Sequence, residues 1–243
     1  MSKKEKFNMG LVLYQFHISP YCGKIRAILR YKGIDCELRM VHPIDRRELI
    51  KVSRQRRVPV LVDGAKVVID STDIAAYLEE RFPDPPIYPR GRRDRAQALL
   101  WEDWADEAPQ RVVGPLKFLH VANARRMAVL EGAQHPTGNV ARIMRLAQPV
   151  VALEMRTFGQ TGSLKRIIHR FEDQMQLLAD RLEDLFLVGD RPTIADFAVF
   201  GVLEPLEDLY GWNRVEEHEN LARWYDRMKT LPPRPIGHHT SVH

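Results

Sequence analysis

The sequence predicts an α/β domain of order β-α-β-α-β-β-α followed by an all-helical one. Three observations carry this expectation. Short apolar runs alternate with helical patterns over the opening part of the chain. Asp63-Gly64 joins two of those runs as a tight hairpin. A stretch from Pro83 to Arg93, with four prolines and Gly91, separates them from a remainder that is helical in period throughout. A chain of 243 residues that is 44% apolar and 28% charged can bury one large core or two smaller ones. The boundaries read from these patterns are a first domain over 9–83, a linker over 84–91, a helical domain over 92–232 and a tail over 233–243.

Leu11 to Phe16 reads as the first strand. Pro20 to Lys32 reads as the first helix, with Cys22, Ile25, Ile28 and Leu29 on its apolar face and Gly33 as its stop. Asp35 to Val41 is the second strand, and Asp45 to Arg54 a short helix. Val58 to Val62 and Lys66 to Ile69 are the two arms of the hairpin. Asp70 or Ser71 opens the next helix, inward through Ile74, Tyr77, Leu78 and Phe82. The first β-α-β must be a right-handed parallel crossover, and the hairpin adds antiparallel strands, so the sheet is mixed and carries helices on both faces.

Beyond the prolines, helices are expected over Asp94–Glu107, Leu116–Glu131 and Asn139–Thr157, the last kinked or interrupted at Pro149. Breaks fall at His135–Gly138 and Gly159–Gly162. A long amphipathic helix spans Leu164–Phe186. Thr193-Ile194-Ala195-Asp196 has the form of a capping box, with Asp in place of Glu, opening a helix with few charges that belongs at the centre of the second domain. Asn220–Leu231 is the last helix, and the tail from Pro232 reads as poorly ordered.

No apolar run approaches the ~20 residues that cross a membrane, and Met1–Lys6 leads into a strand rather than a signal peptide. Two cysteines, Cys22 and Cys36, are too few for a disulfide framework and fit a reducing, cytoplasmic setting. The formal charge of +5 gathers between Arg39 and Arg57 without interleaved aromatics, which argues against nucleic acid. The nine histidines show no metal-ligand spacing, so no metal site is expected.

Four motifs in order, Ser19-Pro20-Tyr21-Cys22, Val58-Pro59, Asp70-Ser71 and Thr193-Ile194-Ala195-Asp196, resemble those of the cytosolic glutathione transferase superfamily. The first resembles the Ser-Pro-aromatic motif of serine-type members such as the tau and zeta classes. The class itself is not assignable. The resemblance implies a thioredoxin-like first domain, a cis Val58-Pro59 peptide, a helical-bundle second domain, glutathione as co-substrate, a small hydrophobic electrophile, a detoxifying role and a homodimer.

Chemistry gives each residue a task. Ser19, on a strand-to-helix turn, can donate a hydrogen bond to an anionic sulfur beside the positive end of a helix, or can serve only as the N-cap. Tyr21 is the alternative donor. Asp70 can take the ammonium of glutathione, or merely balance the helix dipole. Ser71 with its N–H at a helix start can take the γ-glutamyl carboxylate. Val58, next to Pro59, can pair its main chain with the cysteine of the tripeptide as an added strand. The resemblance, rather than the chemistry, makes Arg57 and, less directly, His42 candidates for the glycine carboxylate, since similar enzymes often carry a basic residue where Arg57 stands; Arg57 reads equally as solvated surface. Cys22 is either a small core residue or the thiol of a glutathione-dependent thiol-disulfide oxidoreductase. Trp101, Trp104 and Tyr210 either line an electrophile pocket or pack in the core. A third reading keeps the fold for binding without catalysis.

Overall fold

The computed structural model describes residues 10–135, 139–158, 163–182 and 185–232. The predicted breaks at 136–138 and 159–162 and the tail over 233–243 lie outside them. The first half runs β1 (Leu11–Gln15), α1 (Pro20–Lys32), β2 (Cys36–Met40), α2 (Arg47–Ser53), β3 (Val60–Asp63), β4 (Lys66–Ile69) and α3 (Ser71–Arg81). The strands lie in the order β2-β1-β3-β4, with β1 and β2 parallel and the other pairs antiparallel. The order of elements is the one their alternation predicts, and the arrangement is the thioredoxin-like one that the resemblance implies.

Period-two alternation assigns the two faces of the sheet. Leu11, Leu13 and Leu61 pack with Ile25 and Ile28 of α1 and with Ile74 and Leu78 of α3. Tyr14 and Val60 turn the other way, onto Val41 and Leu49 of α2. Gly33, at φ 64°, takes the left-handed conformation that ends α1. The Val58-Pro59 peptide is cis, as is Asp84-Pro85.

The second half is α4 (Arg92–Glu107), α5 (Gln110–Leu119), α6 (Val121–Gly132), α7 (Val140–Phe158), α8 (Leu164–Arg181), α9 (Ile194–Leu203), a 3-10 turn (Glu204–Leu206), α10 (Asn213–Glu216) and α11 (Glu219–Thr230). Every residue of α9 is buried, as its lack of surface charge predicts. It lies directly against α1. A Cβ at Gly201 would come within 2.5 Å of the Lys24 nitrogen and 2.6 Å of the Pro20 carbonyl oxygen, so glycine sets the closeness of that crossing.

Three expectations for this half need correction. The single helix over Leu116–Glu131 is two: the chain turns extended at His120. Asn123 holds that break, donating to the Leu116 carbonyl at 3.0 Å and exchanging bonds with the main chain of Tyr210. Of the two alternatives at Pro149, a kink or an interruption, the interruption does not occur: α7 is one helix from Val140 to Phe158. The long helix from Leu164 stops at Arg181 rather than Phe186, because Asn220, on α11, donates to the carbonyls of Ala179 and Leu182 at its end.

Candidate active site

The strand pairing brings three separate sequence motifs to one end of the sheet. Tyr14 of β1 pairs with Val60 of β3, and Val60 with Ile69 of β4. The chain therefore leaves β1 towards Ser19, enters β3 from Val58-Pro59, and leaves β4 into Asp70-Ser71, all at the same edge.

Ser19 is the N-cap of α1, with extended backbone, and its oxygen accepts from the Cys22 N–H at 3.4 Å. It is half-buried and lines a cavity of about 420 Å³. The rest of that wall is largely apolar, with Ile44, Phe118, Ile143, Met144 and Val151. Cys22, one turn on, is fully buried, and burial pushes its thiol up to about 11. Tyr21 is committed to α4, its hydroxyl donating to the Asp106 carbonyl at 3.2 Å. Burial, then the Asp106 carboxylate, pushes it up to about 12. The charges of Asp70, which raises it, and Arg57, which lowers it, are the smallest of these effects on Tyr21.

Asp70 holds φ 74°, outside the usual range for a residue with a side chain, and caps α3 by accepting from the Thr72 N–H at 2.8 Å. Its carboxylate is exposed while Ser71 is buried. Among the described residues nothing pairs with the Val58 N–H or C=O, so both are open to another main chain. Arg57 is exposed and free of ion pairs among the described residues. His42 stands apart from this group. Its Nδ1 accepts from the N–H groups of Ile44 and Asp45, and it lines a different cavity, with Tyr14, Glu48 and His135. Trp101 and Trp104 pack on each other edge to face, half-buried, and Tyr210 stacks on His120; none lines the Ser19 cavity.

Sequence reasoning missed the groups that hold the Ser19 turn from behind. Arg26 donates to the carbonyls of Phe16 and His17 and to Glu204 at 2.5 Å. The peptide groups of Ile18 are held from the helical half, the carbonyl by Lys117 at 3.0 Å and the N–H by Glu131 at 3.2 Å. The one available signal was a lone cation or carboxylate inside an apolar helical window.

A thioredoxin-like half whose Ser-capped helix, unpaired Val58 main chain and Asp70-Ser71 turn share one end of the sheet, set against a helical half, defines a two-domain class of fold. Comparison with known proteins narrows it. Residues 13–86 match the glutathione S-transferase N-terminal domain, and residues 159–227 its C-terminal domain. Glutathione S-transferase Z1 of Arabidopsis thaliana is 36% identical over 226 residues, covering 91% of this chain and 88% of its own length. Prostaglandin E synthase 2 of Danio rerio is 24% identical over 274 residues, 91% of this chain and 71% of its own. Among solved structures, the beta-etherase LigF of Sphingobium sp. strain SYK-6 superposes with a TM-score of 0.69 at 26% identity, over 94% of this chain and 97% of that one. The chain belongs to the glutathione S-transferase family.

Proposed function

We propose that the protein is a glutathione transferase. It holds glutathione along Val58, Asp70 and Ser71 and stabilises the thiolate with Ser19, for attack on an electrophile seated in the adjoining apolar cavity. The observation that carries this reading is the position of Ser19, at once the start of α1 and part of the wall of that cavity. A cysteine thiol with pKa ~8.5 is only about 3% thiolate at pH 7. Lowering that value by about two units takes roughly 2.7 kcal/mol of preferential stabilisation of the anion. A hydroxyl donor beside the positive end of the α1 dipole is suited to supply it. The burial of Cys22 and its raised thiol favour conjugation over a thiol-disulfide reaction. The cytoplasmic setting, the detoxifying role and the homodimer implied by the family belong to the same proposal.

Two variants test it. Asp70→Asn keeps both the α3 cap and the tolerance of positive φ while removing the charge. Calorimetry should show glutathione affinity weakened about tenfold or more, the loss expected for one charge-assisted bond; unchanged affinity sinks the assignment of Asp70. Ser19→Ala should lower turnover by about tenfold or more with little change in glutathione binding, and a thiolate absorbance titration should show the bound thiol's pKa rising. Turnover at the wild-type level would mean that another donor does this work.

A further inference from the structure

The wall of the Ser19 cavity contains a charge that glutathione activation does not use. Lys117, on α5, is only 4% exposed and lines this cavity together with Ser19. An ammonium has three N–H donors. One goes to the Ile18 carbonyl at 3.0 Å, and among the described residues the other two have no hydrogen-bond acceptor. A buried cation with two unused donors beside a ligand cavity is costly unless something completes it.

The geometry points to Lys117 as the group that binds the electrophile's oxygen. It donates to a carbonyl oxygen conjugated with the reacting carbon, so the substrate class is carbonyl-activated electrophiles, of which an enone is the simplest. This rests on the transferase reading above. The Glu131 carboxylate, which acts on Lys117 from α6, disfavours a second carboxylate at this position. Glu131 lines the same cavity and is 1% exposed, so a second full negative charge would be placed beside it without water. Its two oxygens are taken, one by the Ile18 N–H and the other by His135 at 3.4 Å. Arg46, also in the cavity wall, is committed to the carbonyls of Pro43 and Arg56 and lies over the Phe16 ring. A neutral carbonyl enters without that repulsion and gains negative charge only as the reaction proceeds, where a fixed donor has most effect.

The step balances as follows. The glutathione thiol has already lost its proton to solvent. Its sulfur forms a bond to the β-carbon of the enone, and the C=C pair moves to leave an enolate oxygen. Lys117 donates a hydrogen bond to that oxygen and keeps its proton. Water then protonates the α-carbon, giving the saturated ketone thioether.

The ammonium is fit to act as a pH-sensitive donor. Burial pulls Lys117 down to about 8, against the opposing effects of Glu131 from α6 and of the Cys22 thiol from α1. The α7 residues that line the cavity, Ile143, Met144, Ala147, Gln148 and Val151, are uncharged, and no group of α4 or α8 among the described residues acts on it.

The test measures conjugation of glutathione to benzylideneacetone, an enone, and to benzyl chloride, whose displacement develops no oxyanion. Thiolate formation is common to both and cancels in the ratio of their kcat/KM values. That ratio should fall about tenfold in Lys117→Met. In wild type it should fall as pH rises through about 8, where the ammonium deprotonates, and in the variant it should be flat. A ratio independent of pH in wild type overturns the proposal even if the variant fails to fold, as does an equal loss on both electrophiles in a folded variant. Failure of wild type to conjugate either compound overturns the transferase reading itself.

Discussion

Lys24→Met is expected to lower the free energy of unfolding by about 3–5 kcal/mol near neutral pH, the usual cost of removing one partner from a buried ion pair. Lys24 projects from α1 with its side chain 2% exposed. Its ammonium meets Glu102 at 2.5 Å, Asp106 at 3.3 Å and the Thr72 hydroxyl at 3.3 Å, tying α1 to α3 and α4 across the two halves of the molecule. Methionine fills a similar volume, so the loss measures charge rather than a cavity. It leaves the Glu102 carboxylate, 4% exposed, with only the Thr72 hydroxyl at 3.1 Å among the described residues and with Asp106 close by.

The pH dependence gives a second reading of the same variant. Burial already raises Asp106 above the usual carboxylate range, and Lys24 opposes the rise. Without Lys24 the folded-state value climbs further. A carboxyl raised in the folded state makes that state bind protons more readily than the unfolded chain does, so stability falls as pH rises from the unfolded pKa of ~3.9 through the folded one. The deficit of Lys24→Met should therefore shrink as pH is lowered from about 7.5 towards about 5. Urea unfolding at the two pH values checks this. A loss under about 1 kcal/mol, or a deficit that grows on acidification, would show that the cluster does not join the halves as described.

The parts of the fold legible in the sequence are those fixed by neighbours along the chain. Asp63-Gly64 sets its hairpin, Gly33 ends α1, Ser19-Pro20 starts it, and Thr193 with Asp196 opens α9, each through bonds made within a few residues. The ends of α5 and α8 were not legible because Asn123 and Asn220 complete them from, or to, distant elements. The candidate site divides in the same way. Ser19, Asp70 and Ser71 are legible as residues at helix starts, and Val58 as the residue before a proline. Lys117 and Glu131 do not, because the groups that give them meaning are the peptide atoms of Ile18, about a hundred residues earlier. Lys32 is a further example. In the helical pattern it is an ordinary terminal cation, yet it is fully buried, paired with Glu79 and donating to the carbonyls of Phe82 and Pro85 in the proline-rich stretch.

Asp196→Ala should be as damaging as loss of Lys24, by a different physical route. Asp196 is fully buried, and its carboxylate accepts four hydrogen bonds. Oδ1 takes the Leu187 N–H at 2.9 Å and the Trp224 indole N–H at 2.9 Å. Oδ2 takes the Thr193 N–H at 2.8 Å and its hydroxyl at 3.0 Å. Alanine removes the acceptors and leaves two main-chain N–H groups and the indole N–H buried without partners, at about 1–3 kcal/mol each where water cannot reach them. It also undoes the capping box of α9, the helix against which α1 and its N-terminal Ser19 turn are packed. Allowing for relaxation, the loss should be about 4 kcal/mol, a large share of the 5–15 kcal/mol that holds a domain folded. Asp196→Asn separates the contributions. It can keep the Leu187 and Trp224 bonds on its one oxygen, but it presents an amide N–H to the Thr193 N–H, so it should recover only part of the loss. Urea unfolding followed by tryptophan fluorescence reports on this directly, because Trp224 is itself a partner. Should Asp196→Ala fall within about 1 kcal/mol of wild type, the network is dispensable, and α9 is held by its apolar faces alone.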